Sequence, residues 1–128
     1  HTLIVRGEVR IAVSDPARTL VDILDDPASG GGMRHVAEIV ARWFERDDRD
    51  EKKLLGYADR LGNRTVCKRL GYLIETLGIE APEIVAAVRA RRSEGLSKLD
   101  PAVQARGRAN KRWNLRINVD VTRGRAPS

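Results

Sequence analysis

A single cysteine, Cys67, stands among the 128 residues, so no internal disulfide can form, and His1 and His35 are too few to complete a dedicated zinc site with it. Aromatic residues are almost as scarce. Trp43, Phe44, Tyr57, Tyr72 and Trp113 are all there are, so the core is expected to be aliphatic. No stretch approaches the roughly 18 to 20 consecutive apolar residues of a membrane-spanning helix, and no signal-peptide pattern opens the chain. No membrane partner and a cytoplasmic location are expected on that basis. Gly30, Gly31 and Gly32 lack the spacing, and the following Lys-Ser/Thr, of a phosphate-binding loop, so no nucleotide cofactor is expected either.

Groups suited to catalysis are also missing. Cys67 falls inside a helical pattern and reads as a packing residue, although Lys68 beside it could favour the thiolate. His35 reads as a surface or boundary residue. The pairs Asp25/Asp26 and Asp47/Asp48 sit in connections, with no second carboxylate cluster at metal-ligand spacing. The expectation is a non-enzymatic protein without metal or cofactor. An enzyme would need a titratable cluster that only the fold could assemble.

What the chain does have is the apolar fraction, 41%, and charged fraction, 33%, of a globular protein, at a length that suits one domain. Residues 1–121 are expected to form that domain, followed by a disordered basic tail over 122–128. His1 in place of Met, followed at once by a strand-like run, predicts a missing N-terminal domain. Charge is uneven: residues 89–128 carry 11 Lys or Arg against 3 acidic residues, a net +8 within a chain of net +6. Such a field attracts nucleic acid or an acidic protein surface, and basic segments also serve solubility.

Hydrophobic periodicity orders the elements. Thr2–Val5 and Glu8–Val13 read as two short strands around an Arg6-Gly7 turn. Ser14 or Asp15 caps a helix that begins at Pro16 and runs to about Asp25, with Leu20, Ile23 and Leu24 on one stripe. The run 25–32 reads as a loop that no regular element tolerates. Further helices follow over about 33–46, 51–61, 64–77 and 83–93, the segment 45–53 being a solvated connection. Leu96–Pro101 is a short extended piece, and a polar, arginine-rich loop leads to Arg112. Strict alternation over Trp113–Val119 predicts a final strand. The fold class expected is α+β: a small sheet, in which the closing strand joins the N-terminal hairpin, packed against about five helices.

Two stretches add a resemblance. Val13-Ser14-Asp15-Pro16-Ala17-Arg18-Thr19-Leu20-Val21-Asp22 resembles the strand-to-helix start of the C-terminal domain of AbiEi antitoxins. Ala58 to Gly78, containing Gly62-Asn63-Arg64-Thr65 and Lys68-Arg69-Leu70-Gly71-Tyr72-Leu73, is similar to that family's core pattern. Leu99-Asp100-Pro101 and Asn110-Lys111-Arg112-Trp113-Asn114-Leu115-Arg116-Ile117-Asn118 follow in the family's order. The resemblance implies a type IV toxin-antitoxin system, in which the antitoxin counteracts a nucleotidyltransferase toxin and represses its own operon. The family's N-terminal winged helix-turn-helix, its main reader of operator DNA, has no counterpart in this sequence. The antitoxic role, which the family assigns to its C-terminal domain, is the function implied. An accessory contact with operator phosphates is the alternative.

The candidate contact residues follow from charge. Arg64, Lys68, Arg69 and Tyr72 lie off the apolar stripe of the fourth helix, and the three cations among them are expected to give it a basic surface ridge. Residues 51–78 then read either as a DNA-reading helix pair or as two helices that merely pack. Arg89, Arg91, Arg92, Arg106, Arg108, Lys111, Arg112 and Arg116 are the candidates for an anionic partner. If roughly five touched phosphates, binding would fall with a log-log salt slope of about −4 to −5. Trp113 either stacks on a base or closes the core. Gly71, in mid-helix where glycine costs about 1 kcal/mol against alanine, is expected to permit a close packing contact.

Overall fold

The computed structural model describes residues 2–6, 9–13, 16–104 and 107–121. Arg106, the capping choice between Ser14 and Asp15, and the basic tail fall outside the described residues. Strands β1 (Thr2–Arg6) and β2 (Val9–Val13) pair antiparallel, with Ile4 opposite Ile11. Five helices follow: α1 (Pro16–Asp25), α2 (Met33–Glu45), α3 (Glu51–Leu61), α4 (Thr65–Thr76) and α5 (Pro82–Ala90). Three two-residue strands close the described chain, β3 (Ser97–Lys98), β4 (Ala109–Asn110) and β5 (Leu115–Arg116). The architecture is α+β. Among the described residues no helix is long and apolar enough to cross a membrane.

The closing strand does not extend the N-terminal hairpin. It is the centre of a separate mixed sheet, parallel to β3 and antiparallel to β4. The alternation over 113–119 correctly marked the inward residues, since Trp113 and Leu115 are buried and Ile117 and Val119 pack against the core. The ladder is shorter because residues 111–114 form a turn, with Asn114 in the left-handed region at φ 54°, a conformation that asparagine tolerates. β4 lies inside what reads from sequence as a polar loop. The breaker run 25–32 also contains a short 3-10 turn, Pro27–Gly30, whose proline is buried. Proline suits the first position of such a turn, where no amide donor is needed.

Helix α4 explains the architecture. Val66, Cys67, Lys68, Arg69, Leu70 and Gly71 are all buried, so the first half of the helix is enclosed on every side and not by one apolar stripe, while Tyr72, Glu75 and Thr76 reach the surface. It packs against α1, α2 and α5. Elsewhere local signals set the helix ends: the Asp50 carboxylate accepts from the Lys53 amide at 3.0 Å to start α3, and Gly62, at φ 76°, ends it.

Polar side chains tie the C-terminal third to the helices. The Asp100 carboxylate accepts from the first amide of α2, Met33 N, at 3.4 Å, supplying a cap from 67 positions along the chain. Asp100 is held in turn by Asn118, whose Oδ1 accepts from the Asp100 amide at 3.0 Å. The Asn118 amide group donates to the carbonyls of Asp100, Val103 and Gln104. Asn118 is thus buried at a position where alternation would place a wet residue, because it satisfies a backbone that no ladder reaches.

Candidate partner-binding surface

The expected ridge on α4 is not a surface. Lys68 is fully buried and Arg69 is 5% exposed, and both cations are used inside the fold. Lys68 Nζ donates to the Gly95 carbonyl at 2.6 Å and to Ser97 Oγ at 2.7 Å, fixing the approach to β3. Arg69 reaches the other way. Its Nη1 donates to the Leu24 and Asp25 carbonyls at 2.7 and 3.3 Å, and its Nη2 to the Lys98 carbonyl at 3.2 Å. One guanidinium therefore closes the C-terminal end of α1, whose carbonyls lack intrahelical partners, and joins it to β3. Burial, with the Arg69 charge adding to it, pushes Lys68 below the usual lysine range. Of the three ridge residues only Arg64 stays exposed. Helix α3 packs chiefly on α1, and α4 on α5, α1 and α2, so residues 51–78 are neither a packed helix pair nor a helix pair that offers Lys68 or Arg69 to a phosphate.

Trp113 is likewise interior. It is fully buried over α4, its indole N–H donating to Glu75 at 2.7 Å. The ring lies where a Cβ on Gly71 would be, so the close contact expected of that glycine is made with an indole and not with another backbone. Glu75 was not singled out from sequence. It is the hub of this corner, pairing with Arg112 at 2.6 Å while accepting from Trp113, and these two donors hold its carboxyl below the usual carboxylate range. The signal that could have marked it is the need of a buried indole for an acceptor.

The remaining cations divide into engaged and available groups. Arg91 forms an ion pair with Asp59 of α3 at 2.9 Å, and Arg92 donates to the Arg89 carbonyl at 3.0 Å. Arg116 donates to the Gly107 carbonyl at 2.8 Å. The side chains of Arg64, Arg89, Arg108 and Lys111 are exposed and hold no hydrogen bond or ion pair among the described residues. Arg89 and Arg112 line one groove of about 420 Å³ with Ile74, Glu75, Glu80 and Val85. Arg108 lines another, of about 490 Å³, with Tyr72, Thr76 and Ile117. Both grooves are bounded by the C-terminal half of α4, which contributes Tyr72 and Thr76 to one and Ile74 and Glu75 to the other. The expected cluster is therefore two partial surfaces, and Arg64 lies at the opposite end of that helix.

Cys67 is buried beside these elements, and burial pushes its thiol up to about 11. The native state then keeps a proton that the unfolded chain releases near pH 9. Its contribution to stability is complete below the unfolded value and is lost as pH rises from about 9 through 11. The lowered Lys68 works in the opposite sense below its unfolded value of 10.5, so the thiol is best isolated by comparison with Cys67→Ala. The urea midpoint of the parent protein should fall relative to that variant across this window, by on the order of 2 kcal/mol. A constant difference between the two proteins would contradict the assignment. His35 is exposed on α2, and among the described residues no group of His, Cys, Asp or Glu is arranged to hold a metal. No protein-family model, curated protein or solved structure matches the chain.

Proposed function

We propose that this chain is the C-terminal effector domain of an antitoxin of the AbiEi kind, counteracting a nucleotidyltransferase toxin without catalysing a reaction itself. The observation that carries this reading is the interlocking of the four stretches that resemble the family. Helix α1 of the first packs on α4 of the second. Gly71 and Glu75 of the second receive Trp113 of the fourth. Asp100 of the third is bound by Asn118 of the fourth. The antitoxic surface is the pair of grooves beside α4, with Arg89, Arg108 and Arg112 in their linings.

Co-expression with the cognate nucleotidyltransferase toxin tests the reading. Residues 1–128 should restore growth, and failure of this chain where a longer antitoxin succeeds would remove the role from it. The second reading, an accessory contact with operator phosphates, is favoured by the exposed cations Arg64, Arg89, Arg108 and Lys111, whose side chains hold no hydrogen bond or ion pair among the described residues. If those four contact DNA, the log-log salt slope of operator binding is about −3 to −4. A slope near zero leaves the cations to a protein partner.

A further inference from the structure

The two tryptophans differ in one respect. The indole N–H of Trp113 is bonded to Glu75, whereas that of Trp43 has no acceptor among the described residues and is not sealed from solvent. Trp43 is held edge-to-face against Phe44, with centroids 4.8 Å apart, and lines a hollow of about 350 Å³ between α1 and α2. Leu20 and Ile39 give that hollow its apolar wall, Thr19 contributes a hydroxyl, and Arg42 and Arg46 complete the lining. Among the described residues no acidic side chain lines it. Arg42 is exposed and has no carboxylate partner among the described residues. Arg46 is paired with Asp48 at 2.9 Å, but both groups are on the surface, where such a pair contributes little and can exchange partners.

We propose that this hollow binds a small apolar carboxylate. Its alkyl or aryl-alkyl body packs on Leu20, Ile39 and the Trp43 ring, and its carboxylate is taken by the Arg42 and Arg46 guanidiniums, with the Trp43 N–H as a further donor. The described lining supplies two cations, an N–H and apolar surface, and holds no anionic side chain. An apolar body with one anionic end satisfies all of these, whereas a neutral ligand leaves the arginines idle and a cationic one is repelled. The volume lies at the small end of the roughly 300 to 1,000 Å³ typical of small-molecule sites, which suits a compact ligand better than a peptide segment. None of the grooves beside α4 is involved, so the site stands or falls independently of the antitoxin reading.

The test is a titration of the nitrogen-15-labelled chain with octanoate, followed through the two indole N–H resonances. The Trp43 signal should move saturably while that of Trp113 stays in place. Octanol, which has the same chain length and no charge, should bind about tenfold more weakly, the loss expected for one charge-assisted interaction. The double variant R42Q/R46Q, altered only at exposed positions, should keep its melting temperature and lose that preference. Equal binding of octanoate and octanol to the parent protein overturns the proposal, as does undiminished octanoate binding by R42Q/R46Q. Movement of the Trp43 signal by an N-acetyl Leu-Glu peptide and not by octanoate would reassign the hollow to a protein partner.

Discussion

Gly71→Ala should destabilise the protein by about 3 kcal/mol, although the same change in an exposed helix interior would stabilise it by about 1 kcal/mol. The sign reverses because an added Cβ falls within the Cη2, Cζ3 and Cζ2 atoms of Trp113. The indole cannot yield cheaply, being fully buried and bonded to Glu75. If the single variant proves too unstable to measure, the pair settles the matter. Trp113→Leu is itself costly because it opens a cavity. In that background Gly71→Ala should be neutral or favourable, giving a coupling of about 2 kcal/mol or more in a double-mutant cycle by urea denaturation. A Gly71→Ala protein more stable than the parent would show that the ring does not rest there.

Arg69→Met carries a comparable expected loss, about 3 kcal/mol, for a different reason. The substitution keeps an apolar stem inside the core and removes only the head group, leaving the carbonyls of Leu24, Asp25 and Lys98 without that donor. A hydrogen bond to a charged group contributes about 1.5 to 3 kcal/mol, and removal of the desolvation cost of the guanidinium offsets part of the three-bond total. Arg69→Lys should recover less than half of the loss, since one ammonium cannot span the end of α1 and the start of β3 together. Lys68→Met should cost less than Arg69→Met, because only the Gly95 carbonyl and Ser97 hydroxyl lose a donor. Urea midpoints of the three variants give the ranking. An Arg69→Met midpoint equal to that of the parent would mean that the carbonyls are satisfied without the arginine.

Sequence reasoning located the helices because each has a local cause. Leu20, Ile23 and Leu24 repeat at helical spacing, and all three are buried. Gly62 ends α3 at the position where the structure has its end. The sheet was less legible, because which strands pair is a non-local choice. The alternation at Trp113–Val119 identifies inward residues but carries nothing about partners, and β3 and β4 are too short to show any period. The ridge on α4 failed for a related physical reason. Periodicity assumes that a cation seeks water, whereas Lys68 and Arg69 are drawn inward by backbone carbonyls at the end of α1 and around β3. No pattern on α4 itself records those acceptors. Exposure was thus legible at Arg89, Arg108 and Lys111, whose side chains hold no hydrogen bond or ion pair among the described residues. The pattern was misleading at Lys68 and Arg69, and incomplete at Arg112, whose counter-charge Glu75 lies 37 residues away.

The cap that Asp100 places on α2 also fixes an order of events. A ribosome releases the whole of α2 long before residue 100 exists, so the helix starts life with its first amides open to water and its neighbour α4 without the indole that covers Gly71. The five-helix segment is then an unfinished body during synthesis, exposed to proteases and to other chains until the last described residues arrive. Termination a few codons before Trp113 would yield a chain with all five helices encoded and no lid over the central one. Such a truncated product is expected to be degraded rather than to persist as a smaller version of the protein.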